Sequence, residues 1–408
     1  MQEKSSSYKL LFSLPVIVAA LGYFVDIYDL LLFSIVRVPS LRSLGIPESQ
    51  LLDKGVLLIN SQMAGMLIGG IFWGILGDKK GRLSVLFGSI VLYSLANIAN
   101  GFVTNINQYV ILRFVAGIGL AGELGAGITL VAEILPKEIR GYGTTIVASI
   151  GVLGAVLAYF IADIYDWRIA YFIGGGLGLL LLVLRFNVFE SSVFSAVKKS
   201  KTVRGDFFML FTSKKRFFKY LRCIMIGLPI WFVIGILITF SPEFAKAIGV
   251  VEPVKAGKAV MFAYIGLSMG DMSSGLLSQF LRSRRKVVFS FIIMTAGATA
   301  FYLLQPSGGS AFFYGTCWLL GFAIGYWALF VTIAAEQFGT NLRATVATTV
   351  PNFVRGSVNV FTPLFLMLAH DHGVLGSAGM VGSLAIVVAL LAVWKMEETF
   401  AKELDYTE

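Results

Sequence analysis

Apolar residues in this chain come in twelve blocks, each close to the length needed to cross a lipid bilayer. The blocks run near 10–36, 56–77, 83–103, 108–133, 142–164, 169–187, 221–242, 259–281, 287–305, 311–335, 344–369 and 374–396. A helix needs about 20 apolar residues to span ~30 Å of hydrocarbon. A membrane barrel would instead read as roughly ten-residue alternating segments. Only 14% of the 408 residues are charged and 57% are hydrophobic, whereas a soluble domain keeps about a quarter charged. The expected fold class is an all-α membrane protein of twelve transmembrane helices. A short polar stretch precedes the first block and no small-x-small cleavage site follows it, so that block is expected to be retained.

The net charge of +10 acquires a meaning once the chain is threaded. With the N-terminus inside, most of the 33 Lys and Arg fall on inner segments, seven fall outside, and Arg113 and Arg355 lie within blocks. This is the positive-inside pattern. It accounts for the basic balance without nucleic acid as a partner and puts both termini in the cytoplasm. Cys223 and Cys317 fall at opposite depths, so no disulfide is expected between them. No zinc spacing appears, and no metal or cofactor is expected. His370 and His372 flank a loop outside the bilayer, which removes a buried histidine proton relay. No Gly-x-x-x-x-Gly-Lys-Ser/Thr loop offers ATP-driven work, so an ion gradient should supply the energy. No nucleophile–base set suggests an enzyme. A channel would need pore-lining rings, and one chain of two halves suits alternating access better.

The charged segment 188–220 separates six blocks from six. Residues 1–187 and 221–408 are the expected bundles. The segment between them reads as a cytoplasmic linker whose lysines and arginines lie at the anionic leaflet surface. The halves echo each other. Ala132-Glu133 with Arg140-Gly141 recurs as Ala335-Glu336 with Arg343-Ala344, at an offset of 203. Gly117 recurs as Gly321, and the loop Gly74–Arg82 recurs in worn form around Gly275, Gln279 and Arg282–Arg285. Parallel repeats of this kind place a substrate site between the halves, near the midplane.

Gly74-x-x-Gly77-Asp78-Lys79-x-Gly81-Arg82 resembles the signature loop of the major facilitator superfamily, with two glycines suited to a tight turn. Arg113-Phe-x-x-Gly117-x-Gly119 and Glu133-x-x-Pro136-x-x-x-Arg140-Gly141 resemble two further signatures of that superfamily. Within it, Asp26-Ile-Tyr-Asp29, Gly122-Glu123 and Gly270-Asp271 resemble the metabolite and organic-acid:proton symporters. The resemblance implies two pseudo-symmetric six-helix bundles and a cytoplasmic charge network of Asp78, Arg82, Glu133, Arg140, Glu336 and Arg343, with Gly77 and Gly81 shaping its loop. Gln279 stands where an acid is common, so a symmetric lock on the second side is not expected.

A charge inside a bilayer costs several kcal/mol and needs a reason. Asp26 and Asp29 share a helix face. Two close carboxylates resist joint ionisation, which suits a proton-accepting pair; the alternative is a permanent structural pair with Arg113. Glu123 is either a second proton site or a packed neutral acid. Arg355 lies about 16 Å into its block, near the midplane. Its planar fork suits a carboxylate, and the alternative is a structural pair with Asp271. Asn352 beside it and Trp231, Tyr326 and Trp327 around it complete the candidate substrate site. The leading expectation is proton-coupled transport of a small organic anion, acting as a monomer in the bacterial inner membrane. The rivals are a neutral-solute symporter, sugar-like, and a drug:proton antiporter. The latter is disfavoured because the fifth block lacks a Gly-Pro-rich antiporter signature.

Overall fold

The computed structural model describes residues 9–136, 138–184, 205–403 and 406–407. Ten membrane-length helices come first: α1 Leu14–Ser43, α2 Glu48–Lys80, α3 Arg82–Asn100, α4 Ile106–Ile134, α5 Arg140–Ile164, α6 Trp167–Leu184, α7 Lys214–Ile238, α8 Ala256–Phe280, α9 Arg284–Leu304 and α10 Ser310–Gln337. The last stretch, Arg343–Trp394, folds back on itself at Gly373, where φ is +68°. It therefore supplies two helices, α11 (343–372) and α12 (374–394), and the molecule is a twelve-helix membrane protein. The apolar blocks locate every helix. The ends move where polar residues pack against neighbours. Helix α1 runs on to Ser43 because Arg37 and Ser40 are buried. Helix α7 starts at Lys214, inside the segment assigned to the linker. Of the rest of that assignment, 188–204 lies outside the described residues and 205–213 holds a short 3-10 helix, Phe207–Phe211.

The two six-helix bundles meet along pseudo-equivalent seams, α2 against α11 and α5 against α8. Small residues bring the backbones together, as is usual where no hydrophobic drive exists between helices in lipid. A Cβ on Gly74 would come within 2.9 Å of Thr345 Cα, and one on Gly125 within 2.5 Å of Thr348 Cα. Several helices are broken at the membrane core. Helix α4 is interrupted after Leu120 and resumes at Glu123, and α10 is interrupted after Ala323 and resumes at Trp327. Helix α7 widens into a π-helical stretch over Val233–Ile238, a distortion that often accompanies functional sites. Each break frees backbone groups that must find partners inside the protein.

Candidate functional site

On the basic, inner side, two corners are built on one plan. In the first, Glu133 Oε1 accepts from Arg82 Nη2 at 2.6 Å and from Arg343 Nη1 at 3.2 Å. In the second, Glu336 is held bidentately by Arg284 at 2.7 Å, while Arg140 Nη1 approaches its Oε1 at 3.8 Å. Each glutamate thus meets one arginine of its own half and one from the other half. Asp78 adds a further cross-seam contact. Its Oδ1 and Oδ2 accept the backbone N–H groups of Ala344 and Thr345 at 3.0 and 2.8 Å, at the N-terminus of α11. A carboxylate there satisfies orphan donors and complements the helix dipole. The C-terminal tail lies across the same face. Arg140 Nη1 donates to the Lys402 carbonyl, Thr340 N donates to the Tyr406 carbonyl, and Glu398 accepts from Ser283 Oγ and from the backbone of Arg284. Partial burial alone would raise the Glu398 carboxyl, but these bonds outweigh it and hold it below the usual glutamate range.

These contacts correct two expectations. The second corner does carry an arginine–glutamate–arginine unit, because Arg284 fills the place of Arg82. Only the acid is missing: Gln279 sits against Gly141 at the start of α5, where Asp78 sits against the start of α11. Gly77 is also not part of a turn. It is helical, and its bare Cα admits Ala344; Gly81 alone makes the turn, at φ +105°.

At the core, Arg355 is 1% exposed and lies 5.4 Å from the Trp327 ring and 5.9 Å from Trp231. Tyr23, Ile27, Ile230, Ile234, Tyr264 and Leu267 complete the wall. The enclosed space is about 10 Å³, room for about one water. The Arg355 Nη1 donates to Asn352 Oδ1 at 3.3 Å, while Nε and Nη2 have no partner among the described residues. Asn352 Nδ2 crosses to the other half and donates to the Ala121 carbonyl freed by the break in α4, at 2.8 Å. Asp271 is not the partner of Arg355. Its Oδ1 accepts the Ala328 N–H at 2.9 Å and caps the second piece of α10. Tyr326 is likewise outside the wall, with its hydroxyl on the Ile226 carbonyl. Tyr23 carries no sequence signal beyond lying one turn before Asp26, yet its hydroxyl accepts from Trp327 Nε1 at 2.8 Å, joining the halves.

Asp26 and Asp29 are fully buried on α1, with Asp29 Oδ1 pressed on Gly174 of α6. Arg113 lies between the rings of Phe33 and Tyr171, at 5.6 and 5.7 Å. Among the described residues, neither Asp29 oxygen and no Arg113 guanidinium nitrogen has a hydrogen-bond partner. Asp29 and Arg113 are therefore not joined by a direct hydrogen bond. Glu123 is buried in the first turn of the second piece of α4, where a helix N-terminus favours an acid.

Residues 19–363 match the family described as the Major Facilitator Superfamily. The chain is 26% identical over 390 residues to a niacin transporter of Acinetobacter baylyi, covering 85% of this chain and 86% of that one. It is 27% identical over 370 residues to the 3-(3-hydroxy-phenyl)propionate transporter of Escherichia coli, covering 86% and 87%. A benzoate transport protein of Acinetobacter baylyi is 26% identical over 319 residues, 69% and 68% of the two chains. Among solved structures, a proton:xylose symporter superposes with a TM-score of 0.77 at 18% identity, over 98% of both chains.

Proposed function

Because the chain belongs to the Major Facilitator Superfamily, and is therefore a membrane-embedded secondary transporter of a small molecule and not an enzyme, we propose that it carries a small planar carboxylate with protons. The proposed setting is the plasma membrane, with both termini inside. The observation that carries this reading is Arg355, a buried guanidinium near two indoles with two nitrogens unpartnered among the described residues. A buried cation without a carboxylate is costly. A planar acid would supply the bidentate partner, and the rings would stack on its flat body. The relatives named for niacin, benzoate and a phenylpropionate support this choice. Asp26 and Asp29 are the proposed proton carriers, because two close, fully buried carboxylates resist joint ionisation and one is neutralised most cheaply by taking up a proton.

The test is uptake of benzoate and nicotinate into proteoliposomes under an imposed pH gradient, with neutral sugars as controls. Acids accumulate and sugars do not. Asp29→Asn abolishes accumulation while leaving exchange. Purified, folded Arg355→Lys loses about tenfold or more in acid binding, since the fork is gone. Sugar accumulation without acid uptake, or undiminished binding in Arg355→Lys, overturns the anion reading.

A further inference from the structure

Outside the closed core lies a second chamber of about 780 Å³, opening toward the outer side. Helices α1 and α8 line both chambers; α7 lines the core, and the segment just after it, at Pro242, Glu243 and Lys246, lines the outer chamber. Arg37 lies in the wall of the outer one, ten residues beyond Ile27 on α1, or about 15 Å further out. It is 1% exposed. Its Nη2 donates to Glu243 Oε1 of the other half at 2.9 Å, and its guanidinium lies 5.2 Å from the Phe240 ring. Gly55 makes room for the side chain, since a Cβ there would meet Arg37 Cδ at 2.7 Å. Arg37 Nε and Nη1 and Glu243 Oε2 have no partner among the described residues. The pair is thus single-stranded: one hydrogen bond where a guanidinium and a carboxylate can make two.

We propose that Arg37 is an outer binding site for a carboxylate, held at rest by Glu243, and that an arriving organic acid displaces Glu243 and so unfastens α1 from the segment following α7. The proposal rests on the organic-anion reading and adds to it a first site and a gate. A substrate acid offers the fork both oxygens, whereas Glu243 offers one. The chamber wall carries Arg37, Arg42, Lys246 and Lys255 against Glu48, Asp163 and Glu243, an excess of one positive charge that favours entry of an anion. Loss of the Arg37–Glu243 contact removes a charged bond between the halves on the outer side. The other cross-half pair there, Lys255 with Asp163 at 3.2 Å, is exposed and contributes little. Passage from Arg37 to Arg355 then follows α1 and α8, which line both chambers.

The experiment uses the full chain with Cys223→Ser, Cys317→Ser and the reporter Leu267→Cys in the wall of the core cavity. The protein is reconstituted and labelled from the outer face with an impermeant maleimide, with and without benzoate. Millimolar benzoate should speed labelling of this reporter protein. Glu243→Gln should label about fivefold faster without benzoate, the change expected for loss of a partly exposed pair. Arg37→Gln should also label fast and no longer respond to benzoate. The exchange of Arg37→Glu with Glu243→Arg should restore slow labelling, which separates a lost latch from a damaged fold. Indifference of the reporter protein to benzoate, an equal benzoate response in Arg37→Gln, or slow labelling of Glu243→Gln overturns the proposal. Arg355→Lys tells the two sites apart: if only the Arg355 assignment is wrong, benzoate still speeds labelling through Arg37.

Discussion

The two inner corners are copies of one another with a single chemical difference. Arg82, Glu133 and Arg343 form one; Arg284, Glu336 and Arg140 form the other. The arginine from the opposite half stands at 3.2 Å in the first and 3.8 Å in the second. Asp78 charges the first corner with two bonds onto α11, whereas its counterpart Gln279 brings a neutral amide to α5. The duplicated corner therefore keeps its framework, and its cross-seam strength is concentrated on one seam. Separating α2 from α11 on this side breaks bonds to the Asp78 carboxylate, whereas separating α5 from α8 parts a neutral Gln279 from Gly141.

The sharpest way to break this comparison is to neutralise each glutamate in turn. Glu133→Gln leaves Arg343 buried beside a neutral group while Arg82 keeps Asp78 at 3.4 Å, a loss on the order of 3–5 kcal/mol at most. A cysteine at Thr348 labelled from the inner face should react more than tenfold faster. Glu336→Gln should raise that rate less, because Arg140 is the more distant cross-seam partner. Equal rates in the two variants would erase the asymmetry.

Asp78→Asn comes next. It removes charge from two backbone bonds worth roughly 1.5–3 kcal/mol together with the local dipole term. Turnover should change more than substrate affinity, with faster inner labelling; an unaltered access distribution would count against the lock. Gln279→Asp is the sharpening variant. A carboxylate at the start of α5 should stabilise the inner closure by about 0.3–1 kcal/mol and slow labelling two- to fivefold. Faster labelling would mean that repulsion from Glu336 wins.

The smallest effect concerns the tail, anchored at the second corner by Glu398 on Ser283 and Arg284. Glu398 is held below its usual range by the Ser283 and backbone bonds, so its contribution is fully present above the unfolded value of about 4.3 and fades as pH falls through the lower folded value. Proteolysis of the tail should therefore rise below about pH 4, and Glu398→Gln should make the tail equally labile at neutral pH. A tail insensitive to both would detach it from this corner.

Much of this was legible in the chain itself. Twelve apolar blocks, each near bilayer length, leave only helices as a way to satisfy the backbone in lipid, and the offset of 203 between Glu133 and Glu336 exposes the duplication. The signature residues Asp78, Arg82, Glu133 and Arg140 locate the inner network for the same reason: charges at block ends are rare enough to be informative. Partners were another matter. Arg284 was hidden among four basic residues, and Tyr23 looked like any aromatic in a span. Asp271 is the acid that the chain offers Arg355 from a neighbouring span, yet it caps a helix break that hydropathy does not register.

The sequence by itself determined the solvent of this protein, its helix count, its two-fold plan and the positions of its costly charges, because those follow from transfer free energy and from periodicity along the chain. Only the tertiary structure decided which charge meets which: Glu133 with Arg343, Arg37 with Glu243, and Arg355 with no acid among the described residues. An ion pair or a hydrogen bond is decided within an ångström or two, and that distance is set by how glycines let helices approach and where α4, α7 and α10 break.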